Sequence, residues 1–154
     1  MSIVSKFGGT SMADFEAMQR CARIVAKNPE RKIIVVSATA GTTNDLVALS
    51  SSPNPMGEKA YLKRIEDRHL QVIKQLKNKE EAEDEFRTTF CDLKKHLRAH
   101  DGSEQWVDRL LSFGELMSSP VFTHVLNMMG VDAMWLDARE IIATDSRFGE
   151  AEPD

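Results

Sequence analysis

Four consecutive β-branched apolar residues, at positions 33–36, are the strongest structural signal in this chain. Such a run suits a strand of a parallel sheet that is covered on both faces, and we predict a strand over residues 32–37. A shorter β-prone segment, residues 3–7, stops at Gly8-Gly9 and predicts an earlier strand that ends in a tight turn. The segment between the two strands has apolar residues at helical spacing, which indicates an α/β fold with a mostly parallel sheet.

Capping and turn residues place the neighbouring elements. We expect Ser11 to cap the helix that follows the glycine turn and Asn28-Pro29 to end that helix. Residues 37–44 are small and polar and predict a loop, whereas residues 45–49 predict a second helix. This part of the chain is therefore expected to run β-α-β-α with right-handed crossovers.

A break at residues 51–57 introduces the most charged part of the chain. Residues 58–109 carry 12 acidic and 12 basic side chains, so this segment is neutral but heavily solvated. Two apolar stripes at helical spacing, separated near Asn78, predict a helical hairpin laid against the sheet domain. The stripes, which we interpret as core contacts, are Leu62, Ile65, Val72 and Leu76, then Phe86, Phe90, Leu93 and Leu97.

The last third of the chain predicts one more helix and then short strands. Apolar residues recur at helical spacing from Trp106 to Val125, and we expect Pro120 to interrupt this helix and Gly130 to end it. The remaining segments are predicted as a third strand over 131–136, a short fourth strand over 141–144 and a loop over 145–154.

Composition and charge exclude several classes of protein. The chain has 154 residues, 42% of them hydrophobic, which is the size and composition of one globular domain. Its net charge of −4 argues against nucleic acid and anionic membrane as partners, and no apolar run approaches the roughly 20 residues of a membrane helix. Cys21 and Cys91 have no zinc-like spacing, so we expect reduced thiols in a cytoplasmic protein. We predict no metal site, and surface or packing positions for His69, His96, His100 and His124.

The glycine turn after the first strand is the first candidate for chemistry. Gly8 and Gly9 let backbone N–H groups approach a ligand, and the N-terminus of the next helix attracts phosphate. Lys6 adds a full positive charge at the same place. The pattern is neither a Walker A loop nor Gly-x-Gly-x-x-Gly. The alternative is an ordinary strand-to-helix turn with an exposed lysine.

Two further segments are candidates. The loop from Ser37 to Asn44 follows the second strand and offers small hydroxyls to a polar substrate, although it could serve only to cap the next helix. Within 114–118, Glu115 lies in an otherwise apolar helical stretch. A buried glutamate there would need a cationic partner, such as a substrate ammonium group, whereas the alternative is a surface glutamate.

Taken in order, these segments resemble a known family. Residues 6–11 (KFGGTS) resemble the N-terminal signature of aspartokinases, residues 37–44 (SATAGTTN) their second loop, and residues 114–118 (GELMS) their third. Residues 147–154 (RFGEAEPD) are similar to the following segment of the monofunctional, lysine-sensitive class. Each motif alone is modest, but four in the correct order are specific. The form fused to homoserine dehydrogenase fits less well.

The resemblance implies a fold and a reaction. The fold is the three-layer sandwich of amino acid kinases, with residues 58–109 as a helical hairpin within it. The reaction is transfer of the ATP γ-phosphoryl group to the β-carboxylate of L-aspartate, with Mg²⁺ at the phosphates. By this resemblance, Lys6 would contact the phosphates and stabilise their charge, and Gly8 and Gly9 would supply backbone donors. Ser37 would lie beside the nucleotide. Thr43 and Glu115 would contact aspartate.

The resemblance also implies what residues 1–154 lack. They correspond to the N-terminal portion of the kinase domain, without the later segments that complete the site and without regulatory ACT domains. We therefore expect a fragment that is inactive alone and that self-associates as a homo-oligomer. Two alternatives stay open. One is another amino acid kinase, acting on glutamate, carbamate or a nucleotide. The other is a non-catalytic interaction module that works through residues 58–109.

Overall fold

The computed structural model describes residues 1–51 and 54–153, which form a mixed α/β structure. Two strands, β1 (Ile3–Phe7) and β2 (Arg31–Val36), pair in parallel, with Lys6 opposite Val35. Helix α1 (Phe15–Ala26) connects them. The predicted α/β class with parallel pairing is therefore confirmed.

The first helix begins later than predicted. Residues Gly9–Met12 form a 3₁₀ turn, and the N-cap of α1 is Asp14, whose carboxylate accepts a hydrogen bond from the Ala17 N–H at 2.8 Å. The prediction that Ser11 caps this helix is therefore wrong. The helix ends at Ala26, two residues before the predicted stop at Asn28-Pro29, with Lys27 as its C-cap.

The two faces of the sheet differ in what covers them. Phe7, Ile34 and Val36 pack against the core, because alternate side chains of a strand point to the same face. The opposite face is exposed and carries Val4, Lys6, Ile33 and Val35. The prediction that β2 is covered on both faces is therefore wrong for the described residues: Ile33 and Val35 are 53% and 46% exposed.

In the described residues, four more α-helices and one 3₁₀ helix (Ala138–Glu140) follow β2. The α-helices are α2 (Thr42–Ser51), α3 (Pro55–Ile73), α4 (Lys79–Arg98) and α5 (Glu104–Met128). Helices α3 and α4 form the predicted hairpin with its break at Asn78, but the hairpin ends at Arg98 because Ser103 caps α5. Residues 52 and 53, within the predicted break at 51–57, lie outside the described residues. Within the described ranges, no helix is both long and apolar enough to cross a bilayer.

Helix α5 is the central element of the core. It contacts α1, α2, α3, α4 and β2. It runs through Pro120 without interruption, contrary to the prediction. A proline inside a helix costs about 3 kcal/mol. The apolar side chains buried on both sides of Pro120, such as Met117 and Val121, offset that cost. The helix stops before Gly130, as predicted, and this glycine has a φ of +84°.

The predicted strands at 131–136 and 141–144 are not present in the described residues. The side chain of Asn127 binds the backbone of Ala133 instead: its Oδ1 accepts from the N–H at 2.9 Å and its Nδ2 donates to the carbonyl at 3.1 Å. Thr144 makes only an isolated antiparallel bridge with Pro153. As far as residue 153, the segment from 145 is irregular, which agrees with the predicted loop.

Candidate functional site

The first two candidate segments meet where the parallel strands end. Gly8 and Gly9 follow β1, and Ser37 follows β2. The Ser37 N–H donates to the carbonyl of Phe7 at 3.1 Å, which joins the two segments directly. Ligands of open α/β sheets bind beyond the carboxyl ends of the strands, so this edge is the expected place for a site.

Helix α5 brings the third segment to the same edge. Glu115 Oε1 accepts a hydrogen bond from the Ala38 N–H at 3.1 Å, and Ser118 Oγ donates to the carbonyl of Ser37 at 2.8 Å. A Cβ atom on Gly114 would lie 2.8 Å from the Cβ of Ala38, closer than such atoms approach. The glycine therefore allows α5 to approach the loop closely enough for both hydrogen bonds.

Lys6 is exposed on the open face of the sheet. Its Nζ lies 3.8 Å from the position that a Cβ atom would occupy on Gly8, so the ammonium group is next to the glycine turn. Gly9 packs close to the second loop, because a Cβ atom there would be 3.6 Å from the carbonyl oxygen of Ala38. A cation beside exposed backbone suits a phosphate group.

Thr43 lies in the first turn of α2, which begins three residues earlier than the predicted helix. Its side chain is exposed. The turn before it contains Gly41, whose φ of +83° is a conformation that favours glycine. The structure therefore presents the Thr43 hydroxyl at the N-terminal end of a 10-residue helix that follows the second loop.

Glu115 is exposed and not buried, so of the two alternatives the surface position is the one observed. The Ala38 N–H nevertheless holds one carboxylate oxygen in place. The other oxygen makes no hydrogen bond to any described residue, which leaves an oriented acceptor for a ligand N–H group. A surface position and a ligand role are thus compatible for this residue.

Sequence reasoning missed two sets of residues that support the second loop. The carboxylate of Asp45 binds Arg64 Nη2 and Arg68 Nη1, each at 2.5 Å. Burial acts to raise the pKa of Asp45, but hydrogen bonds and charge from the two arginines outweigh burial, so the pKa lies below its usual value. Thr39 bonds to His69 at 3.1 Å. A sequence signal existed for the arginines, since residues four apart lie on one helix face.

The histidines hold packing or surface positions, and of the four His100 is the exposed one. His69 is buried, the rings of His96 and His100 contact Trp106, and His124 bonds to Glu85 and Asn78. The described residues contain no group of three His, Cys, Asp or Glu that could hold a metal ion. Cys21 is buried, which raises the pKa of its thiol, and Cys91 is exposed; both are free.

A groove of about 1010 Å³ lies elsewhere, between α4 and α5. Its lining includes Phe113, Leu116, Val121, Trp135 and Arg139. None of the six predicted site residues lines this groove, so it is separate from the site at the sheet edge.

Comparison with known proteins places the chain in a family. Residues 1–152 match the model of the amino acid kinase family. The chain is 38% identical to lysine-sensitive aspartokinase 3 of Escherichia coli over 154 residues, which is 99% of this chain and 34% of that relative. The chain belongs to the amino acid kinase family.

Solved structures give the same result. A crystal structure of E. coli aspartokinase III with aspartate and ADP (R-state) matches 100% of this chain and 35% of its own, with a TM-score of 0.96 and 37% identity. The lysine and aspartate complex of that enzyme (T-state) matches with a TM-score of 0.95 at 37% identity, over 99% of this chain and 35% of its own. The chain thus spans about a third of the length of the relatives it matches.

Proposed function

We propose that the glycine turn after β1, the loop after β2 and Glu115 form the phosphate-binding and aspartate-binding part of an aspartokinase. The convergence of the glycine turn, the second loop and Glu115 at one sheet edge carries this proposal. The likeness to E. coli aspartokinase III supports it, because that enzyme is described with aspartate and ADP. The reaction would transfer the γ-phosphoryl group of ATP to the β-carboxylate of L-aspartate, so that a P–O bond to ADP breaks as one to aspartate forms.

Each predicted residue has a role in this proposal that fits its position. Lys6 would balance the charge of the transferring phosphate, and Gly8 and Gly9 would donate backbone N–H groups nearby. Ser37 would border the nucleotide, Thr43 would contact aspartate and Glu115 would accept from its ammonium group. Catalysis of this kind works by positioning and electrostatics and not by covalent chemistry.

Mg²⁺ would accompany the phosphates of ATP. The described residues contain no group of three His, Cys, Asp or Glu side chains that could hold a metal ion without the phosphates. Mg²⁺ typically binds one or two carboxylates together with phosphate oxygens. We assign no protein ligand to the ion.

We propose that residues 1–154 are the N-terminal portion of a kinase domain and do not catalyse turnover alone. Phosphoryl transfer uses several charged groups around the phosphate. The candidate site described above supplies one lysine and one glutamate. The exposed apolar side chains of Val4, Ile33 and Val35 also leave one sheet face uncovered, which favours self-association of the isolated chain. Free thiols agree with a cytoplasmic location.

Binding measurements test the two halves of the proposed site separately. By calorimetry, Lys6→Ala should weaken ADP binding about tenfold or more, because a charge-assisted contact is lost. Lys32→Ala, an exposed lysine on the neighbouring strand, is the matched control and should leave affinity unchanged. Glu115→Gln should weaken aspartate binding similarly, with Glu104→Gln on the same helix as its control. If neither ligand binds the unsubstituted chain, the proposal is wrong.

A hydroxylamine trap for aspartyl phosphate tests the claim about turnover. We expect no ATP-dependent hydroxamate from the chain alone while ligand binding persists. Hydroxamate that disappears in Lys6→Ala would show a complete site and overturn the claim that the chain is inactive. Hydroxamate that persists in Lys6→Ala would remove Lys6 from the mechanism. Light scattering before and after dilution checks self-association, and a monomer at all concentrations would contradict it.

A further inference from the structure

His69 is a buried polar side chain with two hydrogen bonds, one of which reaches the second loop. It is 1% exposed on α3, and its ring stacks on Phe86 with centroids 5.1 Å apart. Nδ1 lies 2.7 Å from the carbonyl oxygen of Ile65, and Nε2 lies 3.1 Å from Oγ1 of Thr39. Both ring nitrogens therefore have a partner, and one of the partners belongs to the second loop.

These contacts fix the protonation of the ring. A carbonyl oxygen only accepts hydrogen bonds, so Nδ1 carries the proton and donates to Ile65. Burial favours the neutral imidazole and lowers the pKa of His69 to about 4; the hydrogen bond to Ile65 acts in the opposite direction but is outweighed, and the charge of Arg68 adds to the effect of burial. In the neutral ring Nε2 has only a lone pair. The hydroxyl of Thr39 must therefore donate to it.

Thr39 in turn fixes the start of α2. Its own carbonyl accepts from the Thr42 N–H at 2.9 Å, which closes a turn through Gly41. The Gly41 carbonyl then accepts from the Asp45 N–H at 3.2 Å. Thr39 is 1% exposed, so its side chain has no water to replace a lost partner. The orientation of this turn determines where the exposed hydroxyl of Thr43 lies.

Arg68, the residue before His69, supports the same turn from outside. A Cβ atom on Gly41 would lie 3.1 Å from its Nη2, so the guanidinium group packs against the glycine. Asp45 binds the Nη1 of Arg68 and so ties the first turn of α2 to α3. Two consecutive residues of α3 therefore hold the loop, one through a buried hydrogen bond and one through an ion pair.

We propose that His69 is a positioning residue: as a neutral acceptor for the Thr39 hydroxyl, it fixes the turn at residues 39–42 and thereby the placement of Thr43. The functional meaning of this placement rests on the proposed contact between Thr43 and aspartate. The anchoring itself is a property of the chain and is measurable without any ligand.

Amide hydrogen exchange on the whole chain tests the anchor. Thr39→Val removes the hydroxyl while keeping the shape, and should raise exchange at the Thr42 and Asp45 amides about tenfold relative to amides of α5 in the same sample. Thr39→Ser keeps the donor and should restore exchange to within about twofold of the unsubstituted chain. Thr123→Val, which removes another part-buried hydroxyl, is the control and should leave both amides unchanged. Equal exchange in Thr39→Val and the unsubstituted chain would overturn the proposal.

The ring nitrogens of His69 give a second readout that needs no variant. In a ¹⁵N spectrum at neutral pH, Nδ1 should show the protonated signal and Nε2 the unprotonated, hydrogen-bonded signal. A protonated Nε2 would overturn the proposal even if Thr39→Val fails to fold. Aspartate binding by the unsubstituted chain is measured on the same sample. If aspartate does not bind, the function proposed for Thr43 is wrong. The amide exchange and the ring nitrogen signals would still show whether His69 anchors the turn.

Discussion

The two loops that follow the parallel strands are built in different ways. The turn after β1 presents an exposed lysine and two glycines. The loop after β2 is held by side chains from two helices: Glu115 and Ser118 of α5, and His69 and Arg68 of α3. A flexible cation and backbone N–H groups suit a phosphate that changes charge, whereas contacts to a small substrate need a rigid frame. Substitutions should therefore damage stability at the second loop and ligand binding at the first.

At neutral pH, the largest loss of stability from a single substitution is expected at Gly114. Valine there places atoms where the Cβ of Ala38 already lies, so α5 must move away from the second loop. We expect a loss of about 3 kcal/mol in the free energy of unfolding, the upper end of the usual cost of overpacking. Urea unfolding measures this loss. Gln105→Val, at an exposed position of the same helix, is the control, and equal losses in the two variants would show that Gly114 has no special contact.

Acid should destabilise the protein through His69. The pKa of His69 is about 4 in the folded protein and about 6.5 in an unfolded chain, so the unfolded state binds more protons between these values. The stabilisation from neutral His69 is complete above pH 6.5. It should fall by about 1.4 kcal/mol for each pH unit between 6.5 and 4.

Urea unfolding at pH 7, 6 and 5 checks this dependence. In His69→Gln, which has no titrating group at this position, the free energy of unfolding should depend less on pH in this range. If it depends on pH as steeply as in the unsubstituted chain, other groups cause the acid sensitivity.

A smaller effect is expected from the ion pairs of Asp45. Asp45→Asn weakens its contacts with Arg64 and Arg68, which are partly exposed and therefore screened by solvent. We expect a loss of about 1 kcal/mol. Because the pKa of Asp45 is lowered on folding, this contribution is present at neutral pH and disappears as the pH falls below about 4. Asp67→Asn, in an exposed pair with Lys63, should cost close to nothing, and a matching loss there would contradict the assignment.

The smallest effect on stability is expected at Lys6. Its side chain is exposed and has no ion-pair partner among the described residues, so Lys6→Ala should change the free energy of unfolding by less than about 0.5 kcal/mol. Thermal melts of this variant and Lys32→Ala should superimpose. A large loss in Lys6→Ala would indicate a structural role and would weaken the contrast between the two loops.

The sequence predicts those parts of the fold that local signals determine. The β1-α1-β2 unit, the hairpin break at Asn78 and the helix stop at Gly130 all follow from periodicity and glycine or asparagine punctuation. The errors have non-local causes. Residues 131–136 alternate between apolar and polar like a strand. The side chain of Asn127 nevertheless hydrogen-bonds to the backbone of Ala133, and no third strand forms in the described residues. Pro120 stays inside α5 because burial on both sides offsets its cost.

The same distinction applies to the candidate site. Lys6, the glycines and Glu115 stand out in the sequence because their types are unusual for their segments. Thr39 and His69 lie 30 residues apart, and only the packing of α3 against the second loop brings them together. The sequence predicts a helix at Asp45 but no ion pair, because the partners Arg64 and Arg68 belong to α3. Residues that support the site only through tertiary contacts cannot be identified from sequence motifs.

Addition of ADP to ¹⁵N-labelled chain tests the central claim most directly. We expect the amide signals of Gly8 and Gly9 to shift, the shifts to be lost in Lys6→Ala, and Lys32→Ala to behave like the unsubstituted chain. Shifts confined to the groove between α4 and α5, or no shifts at all, would contradict a phosphate site at the carboxyl ends of β1 and β2.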